Sequence, residues 1–232
     1  MATRSAEHLP SSSSQRARER EAESRALDEE LEPASSVRQA DAQIDPAFVN
    51  RWSSRAFSSK PIAFEQIRSL FEAARFTPST ENIQPWLFVY AAEGATRRRC
   101  RPLLHDDAWC WAGRAPLLVF VFARRTHPQT GAELPSAAFE AGAAWFALAL
   151  QAQKLGLSCR AMSDIHHART YAALGVPEAE FSSMIAVAIG YRGTAEDLPP
   201  DLAEQDRPGS RKPQHEFVFN GRYYADRGEN RE

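Results

Sequence analysis

Lysine is almost absent from this 232-residue chain: Lys60, Lys154 and Lys212 are the only lysines among its 28 basic residues. Cysteine is as sparse, and Cys100, Cys110 and Cys159 form no CxxC pair, which argues against a zinc ribbon or a disulfide framework. A membrane-crossing helix needs roughly 20 apolar residues, and the longest apolar run, Ala141 to Leu150, supplies about half of that. The N-terminus lacks the apolar core of a signal peptide and carries too many acids for a transit peptide, so a reducing, cytoplasmic setting is expected. Neither sign of charge dominates. A formal net charge of -2 argues against a dedicated nucleic-acid binder, which carries a basic excess. The sequence has no GxGxxG after a strand, no GxxxxGK[ST], no HExxH and no GxSxG. His166 and His167 are adjacent, so on a helix they point about 100° apart and are poorly placed to share a metal.

What is present is an ordinary globular composition, 43% hydrophobic and 25% charged, enough for one sizeable core. Residues 1–41 differ from the rest. The serine tract Ser11 to Ser14 runs into the charged stretch Gln15 to Glu32, too poor in apolar side chains to offset the entropy of ordering, and a disordered tail is expected there. The folded domain is expected over 42–224, with a loose tail at 225–232. Inside it, Phe64, Ile67, Leu70, Phe71 and Ala74 recur at helical spacing. Short apolar strands are predicted at Trp86 to Ala91, Pro116 to Ala123, Leu157 to Met162 and Met184 to Tyr191. Ser136 is expected to open a long helix that Gly156 stops, and a shorter helix spans Ala168 to Leu174. Helices alternating with buried strands indicate an α+β or α/β layer fold. The run Arg97-Arg98-Arg99 reads as a solvated helix face.

Two segments carry chemistry. In Arg51-Trp52-Ser53-Ser54-Arg55, two arginines and two hydroxyls lie within five residues, a compact anion-binding set whose guanidinium forks match phosphate oxygens. In Pro78-Ser79-Thr80-Glu81-Asn82-Ile83-Gln84-Pro85-Trp86, two prolines stiffen a loop that holds hydroxyls, two amides and an indole, suited to reading the edge of a planar heterocycle.

These two segments, Arg51-x-Ser53-x-Arg55 and Pro78-Ser79-x-x-Asn82-x-Gln84-Pro85-Trp86, resemble the signature of the FMN-dependent nitroreductase family. Further segments are similar in the same order: Trp111-Ala112-x-x-Ala115-Pro116, Leu155-Gly156-Leu157, Ala188-Ile189-Gly190-Tyr191 and Arg207-Pro208-Gly209-Ser210-Arg211-Lys212-Pro213. The resemblance implies an α+β fold with a mixed sheet flanked by helices, built as an intertwined homodimer with FMN at the interface. It implies that Arg51, Trp52 and Ser53 bind the FMN phosphate or ribityl chain, that Arg55 donates to the pyrimidine edge, and that Arg211, with Lys212 or Arg207, completes the phosphate clamp. Pro78 and Ser79 would line the flavin from the partner subunit, and Asn82 would pair with the pyrimidine edge. Where the family carries an acidic residue and a glycine whose backbone N–H reaches flavin N5, this chain has Ser163-Asp164.

The implied activity is ping-pong hydride transfer from NAD(P)H, through the flavin, to a nitroaromatic, quinone or enone, with no catalytic side chain required. Alternatives on the same scaffold are a flavin oxidase or dehalogenase, or a flavin-binding regulatory protein without turnover. Phe217 and Phe219 are expected to share one face of an extended arm that reaches a second subunit.

Overall fold

The computed structural model describes residues 34–92 and 94–223; residues 1–33 of the tail expected at 1–41, and the tail expected at 225–232, lie outside the described residues. Seven α-helices are described: α1 (Pro46–Asn50), α2 (Phe64–Arg75), α3 (Gly94–Cys100), α4 (Asp106–Ala112), α5 (Ala137–Lys154), α6 (His167–Leu174) and α7 (Pro200–Ala203). Four strands, β1 (Trp86–Ala91), β2 (Leu117–Arg124), β3 (Leu157–Met162) and β4 (Phe181–Tyr191), form one sheet in the order β1-β2-β4-β3. The class is α+β. Every neighbouring pair is antiparallel, so the mixed sheet of the resemblance is an antiparallel one among the described strands.

Side chains alternate faces along β2, and the two faces feed two cores. Leu118, Phe120 and Phe122 point with Ala186 and Ala188 of β4 into a core closed by Phe57, Leu103, Leu104 and Trp111, with Tyr171 and Leu174 of α6 packed against it. Leu117, Val119 and Val121 point the other way, onto Ile67, Leu70 and Ala74 of α2 and Ala144, Leu148 and Ala152 of α5. That double burial is why β2 reads as one unbroken apolar run. The alanine-rich stripe of α5 presents short side chains to the sheet, and Gly156, at φ +70°, ends the helix in the left-handed region that glycine adopts without strain. Gly190 is required for a different reason: a Cβ there would lie 2.5 Å from Pro116 Cδ, so two of the segments that carry the resemblance meet at this contact.

Three expectations are corrected. Contacts are already present ahead of the boundary at 42: Ala34 is buried, Ser35 N–H donates to Asn50 Oδ1 at 3.0 Å, and Arg38 binds three backbone carbonyls. Arg97 is half-buried and donates to the Gly113 carbonyl, so only Arg98 and Arg99 of that run form a solvated face. The segment after Pro213 is not extended, because Phe217 and Val218 N–H both turn back to the Gln214 carbonyl; Phe217 is exposed, while Phe219 packs on Tyr223 at 4.9 Å between ring centres.

No helix among the described residues is long and apolar enough to cross a membrane, and no cluster of His, Cys, Asp and Glu among them is placed to hold a metal. Burial pushes the Cys100 and Cys159 thiols up to about 11 and about 12, which removes both as nucleophiles at neutral pH.

Candidate functional site

The loop Arg51–Phe57 is pinned at both ends. Upstream, the Asp45 carboxylate caps α1 by accepting from Ala47 N–H at 2.8 Å, and α1 delivers the chain to Arg51. Downstream, Ser58 N–H donates to Tyr191 O and Gly193 N–H to Ala56 O, both at 2.9 Å. Between these anchors, the Asp206 carboxylate accepts from Ser54 Oγ at 2.6 Å, Arg55 N–H at 2.7 Å and Ala56 N–H at 3.2 Å. Arg160 of β3 donates to the Ser53 carbonyl and lies 5.5 Å from the centre of the Trp111 ring, while Arg192 lies 4.6 Å over the ring of Trp52. The loop is therefore a rigid ledge beside the edge strand β3.

Guanidinium groups crowd this ledge. Arg51 donates to Ser53 Oγ at 3.3 Å, and Arg211 donates to the carbonyls of Gly209 and Ser210 at 3.1 and 2.8 Å. Burial, and next the charge of Arg211, hold Arg51 below the ordinary arginine range; Arg38 is lowered by burial, then by Arg211 and Arg51. Arg160 is lowered first by burial and then by Arg55, with Asp206 opposing. None of Arg38, Arg51 and Arg211 forms a salt bridge among the described residues. Like charges gathered without an acid favour an anion, and several forked donors together suit a phosphate dianion better than a single-charged group. Lys212 is drawn instead to Glu216, 3.9 Å away, and Arg207 is exposed, with its own N–H turned to the Gln205 carbonyl.

The second predicted loop is strained and held. Glu81, Asn82 and Gln84 all adopt positive φ, at 52°, 56° and 54°. Such residues cost about 1–2 kcal/mol each relative to right-handed backbone and persist where their surroundings over-determine them. Here Ser79 Oγ accepts from Gln84 N–H at 3.0 Å, and Gln84 Nε2 donates to Asn82 Oδ1 at 3.2 Å, so Ser79 and Asn82 tie the loop to itself; Pro78 is exposed beside them. Glu140 of α5, only 6% exposed, accepts from the Thr80 N–H at 3.0 Å and Thr80 Oγ1 at 2.6 Å. Burial alone would push the Glu140 carboxyl up. The bonds from Thr80 and the Ser136 hydroxyl outweigh it, and the carboxyl is held below the usual carboxylate range. A depressed folded-state pKa stabilises the fold at pH above the ordinary carboxylate range and loses that contribution as pH falls through the folded value. Glu140→Ala should cost about 1.5–3 kcal/mol at neutral pH, because it strands a backbone N–H and a hydroxyl. Denaturant melts across acid pH should also show a shallower acid-side loss for Glu140→Gln than for the native protein. An unchanged acid limb would remove Glu140 as the loop's anchor.

The structure does not bring the two predicted segments together within one chain. Arg160 lies in a lateral row with Ala188, Leu118 and Ala91, at the opposite end of β1 from Trp86, which the second loop precedes. Three strand spacings across, about 14 Å, and five residues along, about 17 Å, separate the arginine ledge from that loop. Ser163 and Asp164 are closer to the ledge. They are exposed and follow β3 directly, three residues or about 10 Å beyond Arg160, with the Asp164 carbonyl accepting from His105 N–H at 3.3 Å. Two surface clefts, about 490 Å³ beside α2 and Gln151 and about 380 Å³ around His105 and His166, contain none of the predicted site residues. Four residues that organise the site were not singled out as binding or anchoring residues from sequence: Arg38, Glu140, Arg160 and Asp206.

A helix-covered α+β sheet with an arginine ledge on one edge strand is the class these elements define. Comparison with known proteins gives the family. The model of the nitroreductase family matches residues 48–109, which include the ledge and the strained loop. A crystal structure described as an oxidoreductase containing FMN is 35% identical, aligns over 82% of this chain and 97% of its own, and superposes with a TM-score of 0.76. A nitroreductase family protein from Clostridium difficile, 19% identical over 75% of this chain and 95% of its own, shares the fold at a TM-score of 0.58. Nitrobenzene nitroreductase from Ectopseudomonas oleovorans is 34% identical over 56 residues, so the match spans about a quarter of each, 24% of this chain and 24% of that relative. The chain belongs to the nitroreductase family.

Proposed function

We propose that the protein is an FMN-dependent NAD(P)H oxidoreductase that works as a homodimer. The observation that carries this reading is the group of guanidiniums at Arg51 and Arg211, joined by Arg38, gathered around a pinned loop without a salt-bridge partner among the described residues. Its donor set fits the phosphate of FMN, and the 35%-identical relative is described as containing FMN.

In this reading Arg51, Ser53 and Arg211 grip the phosphate, with Trp52 fixed in the same turn by Arg192. Arg55, next to Arg160, places positive charge where negative charge develops on a reduced ring. Ser163 and Asp164 follow β3 directly, and a backbone N–H there would donate to flavin N5. A bound flavin supplies two-electron hydride transfer, from NAD(P)H and then to a nitroaromatic, quinone or enone acceptor. The chain's own residues orient, bind and tune charge; no side chain is required as acid or base. Arg207 and Lys212 are outer positions of the phosphate end.

The separation of the two loops supports the homodimer of this reading. Pro78, Ser79 and Asn82 lie too far from the arginine ledge to serve the same site in one chain, so they serve the ledge of a second copy. Large exposed apolar side chains, among them Phe139 at 80% and Phe76 at 73% exposure, are what such a partner would cover. The three free cysteines suit a reducing, cytoplasmic compartment.

The test is anaerobic. Protein loaded with FMN should bleach on addition of NADH or NADPH and recover its flavin bands when a nitroaromatic, quinone or enone is added. Flavin that stays oxidised with both nucleotides would reject the reductase reading. Recovery with oxygen alone would favour the oxidase alternative.

A further inference from the structure

We propose that Arg38, thirteen residues ahead of the Arg51 loop, is the third cation of the phosphate end of the site, and that it confers preference for a phosphorylated flavin. This rests on the FMN reading above. Arg38 Nη1 donates to the Val49 and Arg51 carbonyls at 2.9 and 2.8 Å, and Nε donates to the Gly209 carbonyl at 2.8 Å. One guanidinium thus staples the entry to the ledge to the segment that carries Arg211, 171 residues away in sequence from Arg38 itself to Gly209. Its remaining nitrogen, Nη2, has no hydrogen-bond partner among the described residues. Arg211 and Arg51 both bear on the charge of Arg38, which places the three groups within electrostatic reach of one another. Neither cation expected in this place, Arg207 or Lys212, bears on Arg51 or Arg38 in this way; Lys212 is engaged by Glu216.

The staple itself explains why arginine stands here. Only a planar fork with several donors can hold carbonyls on two sides and still present a free N–H and a full charge; a lysine supplies the charge as a point without the bridge. The segment that positions it is docked, not trailing, since Ser35 N–H is held by Asn50 and Ala34 is buried.

The test uses the full chain, with FMN and riboflavin as paired probes, because they share the ring and differ in the phosphate. Native protein should bind FMN more tightly than riboflavin. Arg38→Ala should weaken FMN binding about tenfold or more beyond any weakening of riboflavin binding, the effect of losing a charged donor to one anion on top of the loss of the staple. Arg38→Lys should restore part of the FMN affinity through its charge. Equal weakening of both ligands would overturn the proposal by making Arg38 a scaffold residue only, and unchanged FMN affinity in Arg38→Ala would overturn it outright. Native protein that binds neither flavin would instead refute the FMN reading, and this proposal with it.

Discussion

Replacing Asp206 with alanine should lower folding stability by about 2–4 kcal/mol, the largest effect expected of a single polar residue here, because three donors lose a charged acceptor at once. One of them, the Ser54 hydroxyl, belongs to a fully buried residue, and another, the Ala56 N–H, sits in a residue 4% exposed. Water cannot readily replace the carboxylate at either position. Asp206 also orients the Arg55 backbone, so the same substitution should weaken flavin binding, whereas Asp206→Asn keeps one acceptor oxygen and should cost less. Urea unfolding of the three proteins is the measurement. A loss for Asp206→Ala within about 0.5 kcal/mol, the usual range for a surface change, would show that the contacts of Ser58 with Tyr191 and of Ala56 with Gly193 hold the ledge unaided.

Arg51→Ala and Arg211→Ala should have the opposite pattern. Each should weaken FMN binding by about 1.5–3 kcal/mol, roughly 10- to 100-fold, the range for a hydrogen bond to a charged group. Neither should destabilise the flavin-free protein by a comparable amount, because the charge removed is one that repels its neighbours. Inorganic phosphate should raise the melting temperature of the native protein and raise it less in either variant, since a ligand stabilises the state it binds. A variant that loses stability and keeps its FMN affinity would mean that these arginines are structural.

Much of the fold was legible in the sequence. The double burial of β2, the periodicity of α2 and the Gly156 stop each leave a local imprint, so element type and approximate span could be read along the chain. Sheet direction could not, because an unbroken apolar run reports burial on two faces and says nothing of which way the neighbouring strand runs. At the site, arginine, serine and proline at fixed spacings were visible. Their partners were not: Asp206 sits in a polar loop and Arg38 beside a charged tail, and each acts through contacts more than ten residues away in sequence, on which local pattern is silent. Glu140 shows the same limit, as one acid on an apolar helix whose partner, Thr80, is 60 residues distant. The left-handed run at Glu81, Asn82 and Gln84 carries no glycine to announce it.

The proposed grip of the arginine ledge on the phosphate of FMN has one decisive readout. It is tested most directly by incubating the purified full-length chain with excess FMN, removing free ligand on a desalting column, and recording the visible spectrum of the protein fraction. The expected result is yellow protein with near one flavin per chain. A colourless protein fraction, with all flavin eluting free, would contradict it.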